Sequence, residues 1–447
     1  MVTDAASHEA LPNAVTFRNA LAYWFKLGFI SFGGPAGQIS MMHQELVEKR
    51  RWISEQRFLH ALNYTMVLPG PEAQQLATYI GWLMHGIRGG IAAGTLFVLP
   101  SLFLLTGLSW VYLAYGDVTL IQGILYGIKP AVTAIVLASA YRIGSRALAN
   151  NVLRAIALIA FLAIFVLKLP FPLIVLGAAV VGLLGSRFAP DAFRTATGHA
   201  GTQASYGPAL IDDDTPIQPH VVFSRRRFAS IAVTGISLWA GLLGALTAVF
   251  GWDATLTQMG WFFTKAALVT FGGAYAVLPY VYQGGVEHYG WLTGAQMIDG
   301  LALGETTPGP LIMVVAFVGF VGGWTKEIFG PGMLPLAGVA GACCATVFTF
   351  LPSFLLILLG APFVETTRHT IGFTAPLTAV TAAVVGVILN LAVFFTYHVL
   401  WPGGFAAPFE WWAGIIGLVA FIALFKFKLG VVPVIGACAV LGLGHLL

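Results

Sequence analysis

A block of about forty residues occurs twice in this chain, without a gap, at one constant offset of 239. Phe32-Gly33-Gly34 returns as Phe271-Gly272-Gly273, Trp52 as Trp291, and Pro69-Gly70-Pro71 as Pro308-Gly309-Pro310. Lys26 and Lys265 keep the same spacing, as do Glu48 and Glu287. Such a match in a single register marks an internal duplication, so any fold must be built from two related units. Further on, Leu99-Pro100-Ser101 matches Leu351-Pro352-Ser353, and Ala131-Val132-Thr133-Ala134 matches Ala379-Val380-Thr381-Ala382, at larger offsets that imply a short insertion.

The solvent for these units is lipid. With 58% apolar residues, 9% charged residues and a mean hydropathy of +0.86, 447 residues carry more apolar surface than a water-soluble core could bury. Residues 91–115, 229–251 and 333–361 are uncharged and exceed the roughly 20 residues needed to cross lipid. Residues 118–141, 152–169, 171–187, 370–397, 409–425 and 430–447 are further candidate spans, several of them short and flanked by Lys or Arg whose snorkelling side chains can cover the shortfall.

The apolar signal stops over 188–228, a Gly- and Pro-containing stretch that ends in Arg225 to Arg227. We therefore divide the chain into a first repeat (1–187), a cytoplasmic linker (188–228), an extra helix (229–251) with no counterpart in the first half, and a second repeat (252–447). One extra crossing turns the second repeat upside down, so the expected fold is an all-α polytopic membrane protein with an inverted-topology repeat.

The segments around the repeated motifs are too short to be simple spans. Residues 17–31 end at FGGP and 58–68 at PGP, which predicts half-membrane hairpins or broken helices there. With returning hairpins, Lys49, Arg50, Arg51, Arg57, Arg88, Arg142, Arg146, Arg154, Arg187, Arg225 to Arg227, Arg368, Lys426 and Lys428 share one face. The other face keeps mainly Asp117, Lys168, Glu287 and Lys326. The positive-inside rule then puts the N-terminus in the cytoplasm, with about nine crossings and four hairpins. Hairpins that crossed would raise the count to about thirteen and leave the arginines at 142–154 hard to place.

Several functions lack support. The net charge of +4 forms no basic stripe, which argues against nucleic-acid binding. Cys343, Cys344 and Cys438 lie in apolar segments without metal-ligand or CxxC spacing. No cleavable signal peptide is evident, and no P-loop, HExxH or GxSxG motif occurs. No cofactor is expected, and transport would draw on an ion gradient or a partner.

FGGPAGQISMMHQELVEKRRWIS, LPGPEAQQLATYIGW, and the second-half TFGGAYAVLPY and TTPGP resemble the chromate ion transporter family in its long, two-domain form, and the likeness spans nearly the whole chain. What the resemblance implies is efflux of chromate across the bacterial cytoplasmic membrane, hence chromate resistance, with sulfate as a look-alike anion. The sequence is as compatible with a homodimer as with a monomer.

Read physically, a Gly-Gly or Pro-Gly-Pro break inside lipid frees backbone N–H groups that protein or ligand must satisfy, and a dianion suits them. The candidate binding residues are Ser31, Gly33, Gly34, Pro69, Gly70, Pro71, Gln74 and Gln75 in the first repeat, and Thr270, Gly272, Gly273, Pro308, Gly309 and Pro310 in the second. The competing explanation of the glycines is tight helix packing, and the polar side chains could instead satisfy backbone groups.

Lys26 and Lys265, six residues before each FGG phenylalanine, are candidate counter-charges or else snorkelling anchors. Glu72 directly after the first PGP, and Glu305 shortly before the second, are candidate proton carriers or else helix caps; the repeat equivalent of Glu72 is Leu311. His60 and Asp299 are repeat equivalents, with a structural role the simpler reading. Three alternatives to chromate transport follow: a carrier of sulfate or another tetrahedral oxyanion, an intramembrane reductase, which would need a bound chromophore, and a non-transporting scaffold, which would tolerate alanine at the duplicated charges.

Overall fold

The computed structural model describes residues 12, 14–32, 34–188, 190–193, 206–212, 215, 219–271, 273–366 and 374–446. Gly33, Gly272, Arg368, residues 370–373 of one expected span and much of the 188–228 linker lie outside them.

The first repeat comprises α1 (Phe17–Ile30), α2 (Gly34–His43) continuing into a π-helical stretch (Gln44–Lys49), α3 (Glu55–Val67), α4 (Glu72–Tyr115), α5 (Thr119–Ala147), α6 (Asn151–Phe165), α7 (Phe171–Phe188) and the short α8 (Pro190–Phe193). After the linker come α9 (Arg225–Phe250), α10 (Thr255–Leu268), α11 (Ala274–Tyr282) with its own π-helical stretch (Gln283–His288), α12 (Gly294–Thr306), a 3₁₀ turn (Leu311–Met313) opening α13 (Val314–Thr325), α14 (Leu334–Thr366), α15 (Thr374–Leu400), α16 (Trp411–Phe425) and α17 (Val431–Leu446). Among the described residues six helices are long and apolar enough to cross a membrane, and α6, α16 and α17 are shorter apolar ones.

In the first repeat both broken segments return to the face on which the linker lies. α1 starts there, its Phe17 ring 5.5 Å from His85, and runs inward to Ser31. α2 and the π-helical stretch run back, bringing the Trp52 ring 5.4 Å from Tyr23 on α1. There the linker docks, with the Ser54 N–H donating to the Ile211 carbonyl and the Leu210 N–H to that of Arg51. α3, capped by the Ser54 side chain, goes in again to Pro69-Gly70-Pro71, and the first arm of α4 returns to the linker face, where His220 lies 3.0 Å from the Trp82 carbonyl.

α4 is two helices, because His85 (φ −137°) and Gly86 (φ 63°) leave helical geometry and reverse the chain. The second arm, residues 87–115, packs antiparallel on the first, with Gly89 beside Gly81 and Gly94 beside Thr78 and Gln74. A Cβ on Gly81 would lie 2.5 Å from the Gly89 carbonyl, so the close approach depends on the glycines.

The second repeat does the same from the opposite face. α9 carries the chain there, and its final Phe250 meets Phe329. α10 runs in to Thr270, and the return brings the Tyr289 hydroxyl to Gln258 at 3.1 Å. α12 enters behind a Thr293–Gln296 capping box, stops at Pro308-Gly309-Pro310, and α13 comes back so that Thr325 donates to the Trp291 carbonyl at 2.9 Å.

The fold is thus the inverted repeat read from the duplication, with hairpins at the FGG and PGP motifs. Among the described residues the six long apolar helices are α4, α5, α7, α9, α14 and α15, with the shorter α6 packed on α15 and the shorter α16 and α17 packed on α5. The two π-helical stretches are equivalent at the 239 offset. A further repeat, which motif matching alone passes over, pairs α6–α7 with α16–α17: Lys168 and Lys428 both take φ 52° in their turns, and Leu167 and Phe427 donate to Leu162 and Ile422 in the same pattern.

Candidate functional site

The broken segments of one repeat end on those of the other. The Gly70 N–H donates to the Thr270 carbonyl at 2.8 Å, and the Gly309 N–H to the Ser31 carbonyl at 2.9 Å. Because 31 and 270 are repeat equivalents, as are 70 and 309, one contact is made twice about a pseudo-two-fold axis. Each PGP turn caps the helix that stops before the other repeat's FGG.

Gly70 (φ +130°) and Gly309 (φ +106°) occupy the region that favours glycine. A Cβ on Gly70 would lie 2.5 Å from Gln75 Nε2 and 3.0 Å from Ser353 Oγ, and one on Gly309 would lie 2.7 Å from Ser101 Cβ. Ser101 and Ser353 are the serines of the duplicated Leu-Pro-Ser, so the long helices of the two repeats also cross here. Gly34 (φ +72°) and Gly273 (φ +95°) take positive φ as well, and Pro35 packs toward Gly273.

Four half-helices begin at this junction, at Gly34, Glu72, Ala274 and Leu311. Each directs unpaired N–H groups and the positive end of its dipole to one region. The side chains there are polar and buried. Gln38 donates to the Gly309 carbonyl at 2.6 Å and the Ser31 carbonyl at 3.2 Å. Gln75 donates to the Pro69 carbonyl at 2.7 Å. Gln74 donates to Thr78 at 3.0 Å and accepts from Ser353 at 2.9 Å, while the Thr270 hydroxyl donates to the Ala266 carbonyl at 2.6 Å. The Ser31 and Ser101 hydroxyls and the Gln38 and Gln75 side-chain oxygens are buried without a hydrogen-bond partner. Buried polar atoms rarely stay unpaired, and each hydroxyl has a proton left to donate.

The other residues singled out from sequence divide clearly. Pro69, Pro71, Pro308 and Pro310 flank the two glycine turns. Glu72 is half-buried and is the first residue of its half-helix. Glu305 is buried one turn before the second break and accepts from the Tyr275 hydroxyl at 2.5 Å. Lys26 lies on the exposed face of α1, and Lys265 places its ammonium 5.6 Å from the Trp261 ring; neither is drawn into the junction's hydrogen bonds. Asp299 binds Lys129 at 3.1 Å and accepts from the Tyr112 hydroxyl at 2.9 Å.

Sequence reasoning passed over Gln38, Ser101 and Ser353. The serines carried a signal, a repeated Leu-Pro-Ser, whereas Gln38 faces Val277 at its equivalent position and carried none. Tyr275→Phe leaves the buried Glu305 without that donor and is expected to cost about 1–3 kcal/mol of stability, measured as a lower melting temperature of the detergent-solubilised protein; an unchanged melting temperature would show that the bond contributes nothing net.

No solved structure matches this chain. The chromate transport protein of Pseudomonas aeruginosa is 32% identical over 452 residues, covering 98% of this chain and 95% of that protein. The chromate transport protein of Cupriavidus metallidurans is 29% identical over 391 residues, covering 88% and 85%. A probable chromate transport protein of Synechococcus elongatus is 29% identical over 381 residues, covering 85% and 84%. The sequence model of one family, described as chromate transporter, matches residues 18–183 and again 257–443, once for each set of hairpins. With two matches that take in most of the chain, and a relative at 32% identity along nearly its full length, this protein belongs to the chromate transporter family.

Proposed function

We propose that the protein is a secondary transporter that exports chromate across the bacterial inner membrane, holding the oxyanion at the junction of the four half-helices. The observation that carries this reading is the pair of buried, unpartnered hydroxyls of Ser31 and Ser101 where those helix N-termini converge. The binding set comprises Ser31, Gly34, Gly70, Gln74, Gln75, Thr270, Gly273 and Gly309, with Gln38, Ser101 and Ser353 added. A tetrahedral dianion offers acceptors in every direction, and helix ends stabilise it without a fixed cation. Sulfate has the same shape and charge, so it competes for the same donors.

Direction and orientation rest on charge. The arginine-rich face is the linker face, and the positive-inside rule makes it cytoplasmic, together with the N-terminus and the 188–228 linker between the repeats at 1–187 and 252–447; the 229–251 helix inverts the second. A membrane potential negative inside then favours outward movement of a dianion by about 4.6 kcal/mol per 100 mV. Glu72, at the positive end of its half-helix, competes with the anion for that end when ionised, and protonation removes the competition; Glu305 is the second proton carrier in this reading.

The test is chromate uptake into inverted membrane vesicles, with and without a pH gradient and with sulfate as competitor. Ser31→Ala and Ser101→Ala are each expected to weaken chromate binding by roughly tenfold or more, since a hydrogen bond to a charged group contributes about 1.5–3 kcal/mol. Uptake indifferent to both substitutions would move the site elsewhere, and absence of uptake under any gradient would end the chromate reading.

A further inference from the structure

Two ionic clusters lie on opposite faces, away from the junction. On the linker face the Arg57 guanidinium of α3 binds the Glu365 carboxylate at the end of α14, and the Tyr79 hydroxyl donates to the same carboxylate. On the far face Asp299 of α12 binds Lys129 of α5 and accepts from Tyr112 near the end of α4.

The clusters occupy related but not identical positions in the two repeats. α3 and α12 are the same element, and Asp299 matches His60, one helical turn from Arg57. At the offset set by Leu-Pro-Ser, Tyr112 matches Val364, the neighbour of Glu365. Each cluster therefore ties the inward-running helix of one repeat to the long helix of the other. Charges that bridge two halves across a shared interface fix how those halves sit.

The two ties differ in access to water. The Arg57 and Glu365 side chains are 6% and 2% exposed. Lys129 is 33% exposed and, with Asp299 and Tyr112, lines a polar cavity of about 470 Å³ that also takes in Gln296, Asp117 and Gln122, the last two exposed on the far face.

We propose that the Arg57–Glu365–Tyr79 and Asp299–Lys129–Tyr112 clusters are the alternating gates of the carrier; both ties are formed in this state, the first sealed from water and the second at the floor of the open vestibule. In an inverted repeat the opposite access state follows when the halves exchange conformations, so water reaching one cluster accompanies sealing of the other. This inference rests on the transport reading above, but its test needs no substrate.

With Cys343, Cys344 and Cys438 replaced, a single cysteine is placed at Gln296 in the cavity or at Ala61, buried on α3. Labelling by a membrane-impermeant maleimide is compared in vesicles of both orientations. Glu365→Gln is expected to raise labelling at 61 and lower it at 296, by about tenfold for a shift of this kind, and Asp299→Asn to change both in the opposite sense. Because Glu365→Gln could loosen the fold, the apolar pair Arg57→Met with Glu365→Leu is run beside it and is expected to move labelling in the same direction. Changes of the same sign at both cysteines, or none, would overturn the gates. Opposite changes in a protein that moves no chromate would keep the gates and discard the substrate.

Discussion

Gly309→Val is expected to abolish transport, lowering uptake by at least about a hundredfold, whereas Gly107→Val in the second arm of α4 leaves a folded protein. Gly309 combines three demands that valine cannot meet. Its φ is +106°, where a β-branched residue is an outlier worth about 1–3 kcal/mol of strain. Its Cβ would stand 2.7 Å from that of the buried Ser101 on a helix of the other repeat, so relief requires the repeats to part. Its N–H donates to Ser31, and parting them breaks one of the paired bonds on which the junction closes. Together these exceed about 4 kcal/mol, the range in which single substitutions become diagnostic. Gly107 has open space around its Cβ position and an ordinary φ. Gly70→Val should match Gly309→Val, because Gly70 meets Gln75 and Ser353 in the equivalent place. The measurement is vesicle uptake normalised to monodisperse protein; activity in Gly309→Val above a tenth of the parent would show that the junction is not the rigid point of contact between repeats.

The duplication made much of this legible. A constant offset fixed the number of units, and one unmatched apolar stretch fixed their relative inversion, since an odd number of crossings must turn the second unit over. Pro and Gly inside apolar segments marked the breaks, because proline removes a donor and glycine admits positive φ. That each PGP turn would donate to the carbonyl before the other repeat's FGG could not be read, since a sequence states which elements recur but not which copies touch. Which way the lysines face was illegible for a related reason: the duplication put Lys26 and Lys265 at equivalent positions but did not say which side of the helix meets protein. Asp299 and Lys129 were visible as charges in apolar surroundings, whereas Arg57 follows a charged run and Glu365 opens a polar one; the pairs join residues 308 and 170 (299 − 129) positions apart and only in part follow the repeat, so no local pattern announced them.

Arg57→Met alone is expected to destabilise the protein by about 3–5 kcal/mol, and Arg57→Met combined with Glu365→Leu to recover most of that loss. The Arg57–Glu365 pair is nearly sealed from water. Its attraction does little more than offset the desolvation of two charges, while removing one partner strands the other in a place where water cannot reach it. Tyr79 still donates to Glu365 in the single variant, but one phenol hydroxyl does not replace a guanidinium. The double variant has no charge left to strand, and Met and Leu fill similar space. The surface pair Lys49–Glu45, with Lys49 68% exposed, provides the contrast: Lys49→Ala is expected to cost less than about 0.5 kcal/mol. Thermal unfolding in detergent measures all three. If the double variant is as unstable as the single, the cluster holds the repeats together by shape and hydrogen bonding more than by its charges. If it recovers stability but loses transport, the ion pair is retained for its ability to open.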